Sequence, residues 1–373
     1  MAWYHFIGIG FLAIFVLQNG SKFETKFFDM TEIPALTGAL SPNKHLQNAK
    51  ILFKNKIHGP ESFVWLNGAL YSTVENGFIK IINDKIVKKI KVGKSGCSSV
   101  VECGRPLGMR HYKDETFIVA DCYNGILTVD FKTGKIETLL PGDTIIDGIK
   151  LNFADDLDFI DEDTIIFSDA STTWDLTRFS NAMLELKGDG RVLKFNLKTK
   201  EISTLLTNLQ FANGIQIHSD KQSVLICETG AARIVRYFFD GPKKGTHEYF
   251  ITNLPGLPDN IRATSKGTTY YVAFAIPRVP NHWSFIDSLA PYPFIRKLIL
   301  QIIPQSLGFT FYRATMANYG LFVEVDTNGK IIKSWHDPTG FTKMISQVID
   351  ADDAIYVGSY AHEHIAKIFK NQS

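Results

Sequence analysis

Asn213-GIQIHSDKQSVLICETGAARIVRYFF, residues 213–239, carries the pattern on which the fold reading turns. A small polar lead-in, Asn213-Gly214, opens a strand in which Ile215 and Ile217 alternate with polar neighbours. After a turn, the apolar run Val224-Leu-Ile-Cys227 ends on the acidic Glu228. Gly230 marks the next turn, and Arg233-IVRYFF mixes basic with apolar side chains. Period-two alternation marks a half-buried strand, and a short continuous apolar run marks a strand buried on both faces.

Working outward, the same unit returns along the chain. It is seen in Glu61-SFVWLNGALYSTVENGFIKII and in Arg105-PLGMRHYKDETFIVADCYNGILTVDFKTGKIETLL. It is seen again in Asp155-DLDFIDEDTIIFSDAS, resumed at Gly190-RVLKFNLKTKEISTLL. Asp259-NIRATSKGTTYYVAFA and Gln347-VIDADDAIYVGSYAHEHIAKIF complete the set. Units of short strands repeating at about 45–50 residues are four-stranded blades, none able to bury both faces alone. Counting them predicts an all-β, six-bladed β-propeller, with a two-sheet sandwich as the alternative architecture. The last unit is one strand short, and Ile51-LFKNKI is a free strand near the start, so the early strand is expected to complete the final blade and close the ring.

Two stretches interrupt the repeat. Residues 171–188 expand the third unit, and residues 277–318 split the fifth. In the second, Ile295, Leu298, Ile299, Ile302 and Ile303 recur at helical spacing, which predicts a lid helix packed on the propeller. Trp283 and Phe285 add aromatic surface, so the lid is also a candidate for touching a membrane or lining an apolar entrance.

The first residues differ in kind. Ala2 to Leu17 (AWYHFIGIGFLAIFVL) contains no charged side chain, and Lys22 and Lys26 follow it. The expected organisation is an N-terminal signal anchor at 1–20, a linker at 21–50 and the propeller at 51–373. A cleaved signal peptide with a secreted product, or a buried N-terminal segment, are the alternatives. Either of the first two delivers the body outside the cytosol. Asn19-Gly-Ser and Asn371-Gln-Ser fit the glycosylation sequon. A formal charge of +2 with dispersed lysines gives no reason to expect nucleic acid, and no protein partner is indicated.

Of four cysteines, Cys97 and Cys103 flank a short loop and could close a small disulfide in an oxidising compartment, while Cys122 and Cys227 read as buried thiols. No Cys/His spacing resembles a zinc site. His362-Glu363-His364 is the nearest candidate, but strand geometry would turn its two rings to opposite faces.

In a propeller the starts of the innermost strands face one another across the axis. Here those positions carry Glu61, Asp155, Asn213 and Asp259, with Asp156 and Asn260 adjacent. Any one of them alone is more often a turn residue or a solvated acid. Their recurrence at the same point of successive units raises the joint case for an oxygen-rich Ca²⁺ site made by Glu61, Asp155, Asn213, Asp259 and Asn260.

The motifs Gly59-PESF, Cys103-GRPLGMR, Phe211-ANGI, Leu257-PDNIR, Ser334-WHDPTG and Ile355-YVGSY, in this order, closely resemble the strictosidine synthase-like family. Within it, the match is to the adipocyte plasma membrane-associated branch, whose members are type II membrane glycoproteins. The resemblance runs from about residue 50 to the C-terminus. It implies a calcium propeller with Glu61, Asn213 and Asp259 among the metal ligands, Asp155 where the family usually has Asn, and a Cys97–Cys103 disulfide. It also implies a single-pass membrane protein of the endoplasmic reticulum or plasma membrane, with its body on the lumenal or extracellular side.

Departures from the family narrow the chemistry. Ser346 stands where true strictosidine synthases have a catalytic Glu, which argues against that condensation. Leu107 and Cys122 stand where paraoxonases have a His pair, and no Gly-x-Ser-x-Gly elbow occurs. What remains is metal-assisted hydrolysis of a small aromatic or amphipathic ester or lactone, of arylesterase type, with Asp259 or Asp155 as base or nucleophile. The rival is a non-enzymatic, calcium-stabilised propeller that binds a protein or lipid partner.

Overall fold

A computed structural model describes residues 23–370. Twenty-four strands form six four-stranded antiparallel sheets, which are the six blades of a propeller. Their innermost strands are Phe63–Leu66, Pro106–Lys113, Ala154–Phe159, Ala212–Ile217, Gly256–Ala263 and Gln347–Asp350. Each blade alone would expose two apolar faces, and neighbours cover them. Between the first two blades, Tyr71, Phe117 and Phe131 meet with ring centroids 4.6–5.4 Å apart. Between the fourth and fifth, Leu225, Val272 and Phe274 are fully buried in one cluster. Burying each such side chain contributes roughly 1.5–3 kcal/mol, so the ring coheres through its inter-blade seams.

The ring closes as the sequence predicts. Strand Lys50–Leu52 pairs with Ile365–Phe369, Ile51 lying opposite Ala366, and so supplies the outer strand of the sixth blade. The final blade is therefore made from both ends of the ring, and opening it costs a whole strand's ladder.

Two insertions stand on one side of the ring as a cap. Cys103 ends the short helix α1 (Val100–Cys103) and is disulfide-bonded to Cys97, while Cys122 and Cys227 are buried free thiols. Between the second and third strands of the third blade lies helix α2 (Phe179–Glu185). Between the corresponding strands of the fifth lie α3 (Phe285–Leu289), α4 (Pro293–Ile302) and α5 (Gln305–Ala314). Arg296 of α4 fastens these parts together. Its buried guanidinium donates to the carbonyls of Leu184 and Glu185 on α2, Leu289 and Ala290 at the end of α3, and Lys26 of the N-terminal strap. Burial pulls this group down to about 10, which leaves it charged at neutral pH.

Two sequence expectations need correction here. Phe285 does not add to the aromatic surface: it is buried in the cluster beneath the cap, because it faces the ring from the first turn of α3. His362 and His364 do not diverge. They lie in a turn ahead of the last strand, where strand alternation does not apply, and their rings meet at 3.3 Å. The proposed anchor at 1–20 and both sequons lie outside the described residues. Among the described residues no helix is long and apolar enough to cross a membrane.

Two consequences can be measured. His336 is fully buried, with Nδ1 against Tyr319 Oη and Nε2 against Ser334 Oγ, both at 2.8 Å. Burial, helped by the charge of His45, pushes its ring down to about 4. Between pH about 6.5 and 4 the unfolded chain therefore holds a proton that the folded chain refuses, and stability falls as pH falls, by up to about 3 kcal/mol. Urea midpoints across that window should drop less steeply in His336→Gln. Replacing Arg296 by Met leaves several buried carbonyls without donors, costs on the order of 3 kcal/mol, and should speed limited proteolysis within residues 277–318 while the ring stays resistant.

Candidate metal centre and pocket

Four of the six innermost strands share one irregularity. Their pairing with the second strand of the blade slips between Pro106 and Met109, Ala154 and Leu157, Ala212 and Ile215, and Pro258 and Ile261. The unpaired residues are Leu107-Gly108, Asp155-Asp156, Asn213-Gly214 and Asp259-Asn260. A β-bulge bends its strand and re-aims the bulged side chains, and here the same bulge recurs in four blades at one height on the axis. The second residue of each bulge approaches the next blade closely. A Cβ on Gly214 would lie 2.6 Å from the Asp259 carbonyl, and one on Gly108 would lie 2.4 Å from Asp156 Oδ1. At Gly108 and Gly214 only glycine allows that approach.

The bulges send adjacent carboxylates in different directions. Asp156 points along the axis to the buried Arg262, which grips it with Nη1 at 2.7 Å and Nη2 at 2.9 Å; Asp156 Oδ2 also accepts from the Ile215 amide at 2.7 Å. Asp158 receives Arg110 at 3.2 Å. The lower axis is thus neutralised internally, and Asp156 is not free for a ligand.

Asp155, by contrast, lines a cavity of about 300 Å³ together with Glu61, Asn213 and Asp259. Four of the five predicted ligand residues thus meet at one cavity, although they come from four blades. The fifth, Asn260, sits at the buried edge of the group, its Nδ2 3.4 Å from Glu61 Oε1 and its amide bonded to the Ser346 carbonyl at 2.9 Å. Arg105 Nη2 stands 3.7 Å from Glu61 Oε2 and donates to the Gly59 carbonyl at 3.0 Å. Above this polar floor the walls are apolar: Leu107 and Phe153 from the ring, Phe179 and Met183 from the cap, then Phe211 and Ile276. Cys122 lies in the same apolar cluster as Leu107, and Ser346 is buried with its hydroxyl 3.2 Å from the Glu61 carbonyl.

Burial, reinforced by the charge of Asp156 and opposed by Arg105, pushes Glu61 up to about 7. Burial and the charge of Glu61 raise Asp155 and Asp259 well above the usual carboxylate range. Three carboxyls that cannot all ionise together in a low dielectric call for a cation. Glu61 Oε2, Asn213 Oδ1 and Asn260 Oδ1 are buried without a hydrogen-bond partner, as oxygens reserved for an ion would be. The donor set is all oxygen, which fits calcium. Among the described residues, no group of three or more His, Cys, Asp and Glu side chains is arranged to hold a metal. A site here therefore needs the amide oxygens of Asn213 and Asn260 as well as the carboxylates.

Sequence reasoning missed Arg105, Arg262, Tyr360 and the rim pair His58–Glu75, whose ring Nδ1 and carboxylate are 3.0 Å apart. Arg105, Arg262 and Tyr360 all fall inside motifs that the sequence displays, but nothing local distinguishes a guanidinium aimed at the axis from one in solvent.

A strictosidine synthase family model matches residues 155–242, and a strictosidine synthase-like N-terminal model matches residues 38–82. The adipocyte plasma membrane-associated protein of Danio rerio is 35% identical over 96% of this chain and 86% of its own length. Among solved structures, a gluconolactonase from Xanthomonas campestris aligns with a TM-score of 0.57 at 13% identity, covering 93% of this chain and 96% of that one. The calcium-binding protein regucalcin from Agrobacterium tumefaciens aligns with a TM-score of 0.55 at 12% identity, covering 85% and 92%. At such identities these two share the fold. The relationship over nearly the whole chain is closer, and the chain belongs to the strictosidine synthase-like family, alongside the adipocyte plasma membrane-associated proteins.

Proposed function

We propose that this chain is a membrane-tethered, calcium-dependent hydrolase of arylesterase or lactonase type, acting on a small aromatic or amphipathic ester or lactone. The observation that carries the reading is one cavity with oxygen donors from four blades at its floor and apolar walls above. Glu61, Asp155, Asn213, Asp259 and Asn260 would hold the ion. When bound, calcium would polarise a carbonyl oxygen and keep its carboxylate ligands ionised.

The chain's own groups do the rest. The apolar walls seat the substrate's aryl or alkyl part and exclude bulk water, which strengthens every charge interaction at the floor. Asp259, with Asp155 as the alternative, takes a proton from water as its oxygen bonds to the carbonyl carbon. The ester C–O bond then breaks, and the same proton passes to the departing alkoxide or phenoxide oxygen. Arg105, buried beside Glu61, keeps one positive charge at the floor throughout. Tethering is supported by the uncharged run from Ala2 to Leu17 and by the name carried by the relatives, plasma membrane-associated protein. With that orientation the body lies on the lumenal or extracellular side, where the Cys97–Cys103 bond is stable.

One observation favours a second reading, a calcium-stabilised scaffold without turnover. Ser346, Leu107 and Cys122 fill the positions where the strictosidine synthases and paraoxonases that the sequence resembles carry their proton-transfer groups, and all three are buried in packing or hydrogen bonding.

Hydrolysis of aryl esters and hydrophobic lactones should fall to background after complete chelation and return with calcium, with a matching drop and recovery in melting temperature; rates indifferent to calcium removal would refute the hydrolase. Asp259→Asn keeps an oxygen donor but removes the base. It should cost about 100-fold or more in kcat while the fold survives, as judged by circular dichroism. A variant that loses only its calcium-dependent thermal stabilisation, from a parent with no measurable turnover, would establish the scaffold instead.

A further inference from the structure

Helix α4 is apolar on two opposite sides. Its inward side buries Leu300 and packs Ile299 into the cluster over the pocket. Its outward side presents Phe294, Ile295 and Ile302, which are 57%, 41% and 65% exposed. With the half-buried Leu298, these residues follow a spacing of one, four and eight that puts them on a single stripe. A surface helix ordinarily carries polar residues there, and a helix apolar all round is ordinarily covered on both sides. Trp283 and Tyr292 of the same insertion, and Leu307 on α5, are each more than half exposed.

The N-terminal strap identifies the cover. Phe23 stacks on Trp174 with centroids 5.6 Å apart, and the Lys26 amide donates to the Glu185 carbonyl at 2.9 Å. Thr25 Oγ1 donates to the carbonyl of Pro293, the residue just before Phe294, at 2.9 Å. Arg296 holds the Lys26 carbonyl from the other side. The strap is therefore bound to the first turn of α4. Thr25 is eight positions from Leu17, the end of the uncharged run, which allows at most about 30 Å at full extension. Phe27, within the strap, is also exposed.

We infer that the outward face of α4, with Trp283 and Tyr292 at its margins, rests on the surface of a lipid bilayer. Trp and Tyr prefer the headgroup level, where the ring is in apolar surroundings and its polar atom stays wet, while Phe and Ile reach the acyl boundary. The strap fixes the geometry: its described start, eight positions or fewer from the uncharged run, is bound at the end of the molecule that carries the uncovered helix face. The pocket beneath the cap, whose walls include Phe179 and Met183, then opens beside the membrane and draws on molecules dissolved in it. This placement is independent of whether the pocket catalyses anything.

The test uses the full chain reconstituted in phosphatidylcholine vesicles whose acyl chains are brominated near the headgroup. Tryptophan emission should be quenched, and Trp283→Phe should abolish a distinct part of that quenching. The triple variant Phe294→Ser, Ile295→Ser, Ile302→Ser should lose the same part with an unchanged melting temperature, because those side chains point away from the ring. Equal quenching of the parent and Trp283→Phe would overturn the proposal. So would a Trp283 shielded from aqueous acrylamide but not quenched by bromine in a preparation that cross-links as dimers, since a second copy would then cover the face.

Discussion

Everything at the centre of this molecule follows from burying charge on an axis. Six innermost strands converge there, and the bulges in three of them turn polar side chains inward where water is scarce. A buried carboxylate must find a positive partner or give up its charge. Asp156 finds Arg262, and the pair ties the third blade to the fifth. Among the described residues, the one ion pair that Glu61, Asp155 and Asp259 make at the cavity floor is that of Glu61 with Arg105. That imbalance of charge is what makes the upper axis a candidate for a divalent cation and the lower axis a structural plug.

The cap converts the floor into a pocket. Without α2 and α4 the carboxylates would face open solvent, where their mutual repulsion would be screened and weak. With the cap in place they are enclosed by apolar walls, and the same charges interact strongly. Arg296 is central to this arrangement because one guanidinium satisfies carbonyls from two insertions and the strap together.

Much of the ring was legible in the residues. The repeat of alternating and continuous apolar strands is a local signal, and it announced six blades and a closing strand at Ile51. The group of residues at the cavity floor was legible through recurrence, since Glu61, Asp155, Asn213 and Asp259 hold the same place in their units. What recurrence could not show is why that place matters: the paired-residue bulge separates Asp155 from Asp156 and points one into the cavity and the other at Arg262. His362 and His364 were misjudged because two residues apart means opposite faces only inside a strand, and this pair sits in a turn. Phe285 was misjudged because the sequence does not say which side of a short helix meets the ring.

By itself, then, the sequence determined the architecture and its chemical vocabulary: blades, the closing strand, an uncharged run near the start, and oxygen donors at one point of four of the six units. These depend on periodicity and composition, which are properties of neighbours along the chain. Only the tertiary structure decided which donors share a cavity, which carboxylate is already neutralised, and which face of α4 is left bare. Those outcomes depend on residues 199 and 270 positions apart, such as Asn260 and Glu61 or Arg296 and Lys26, being carried to within hydrogen-bonding reach. No local pattern encodes that meeting, because it is set by the packing of blades around the axis.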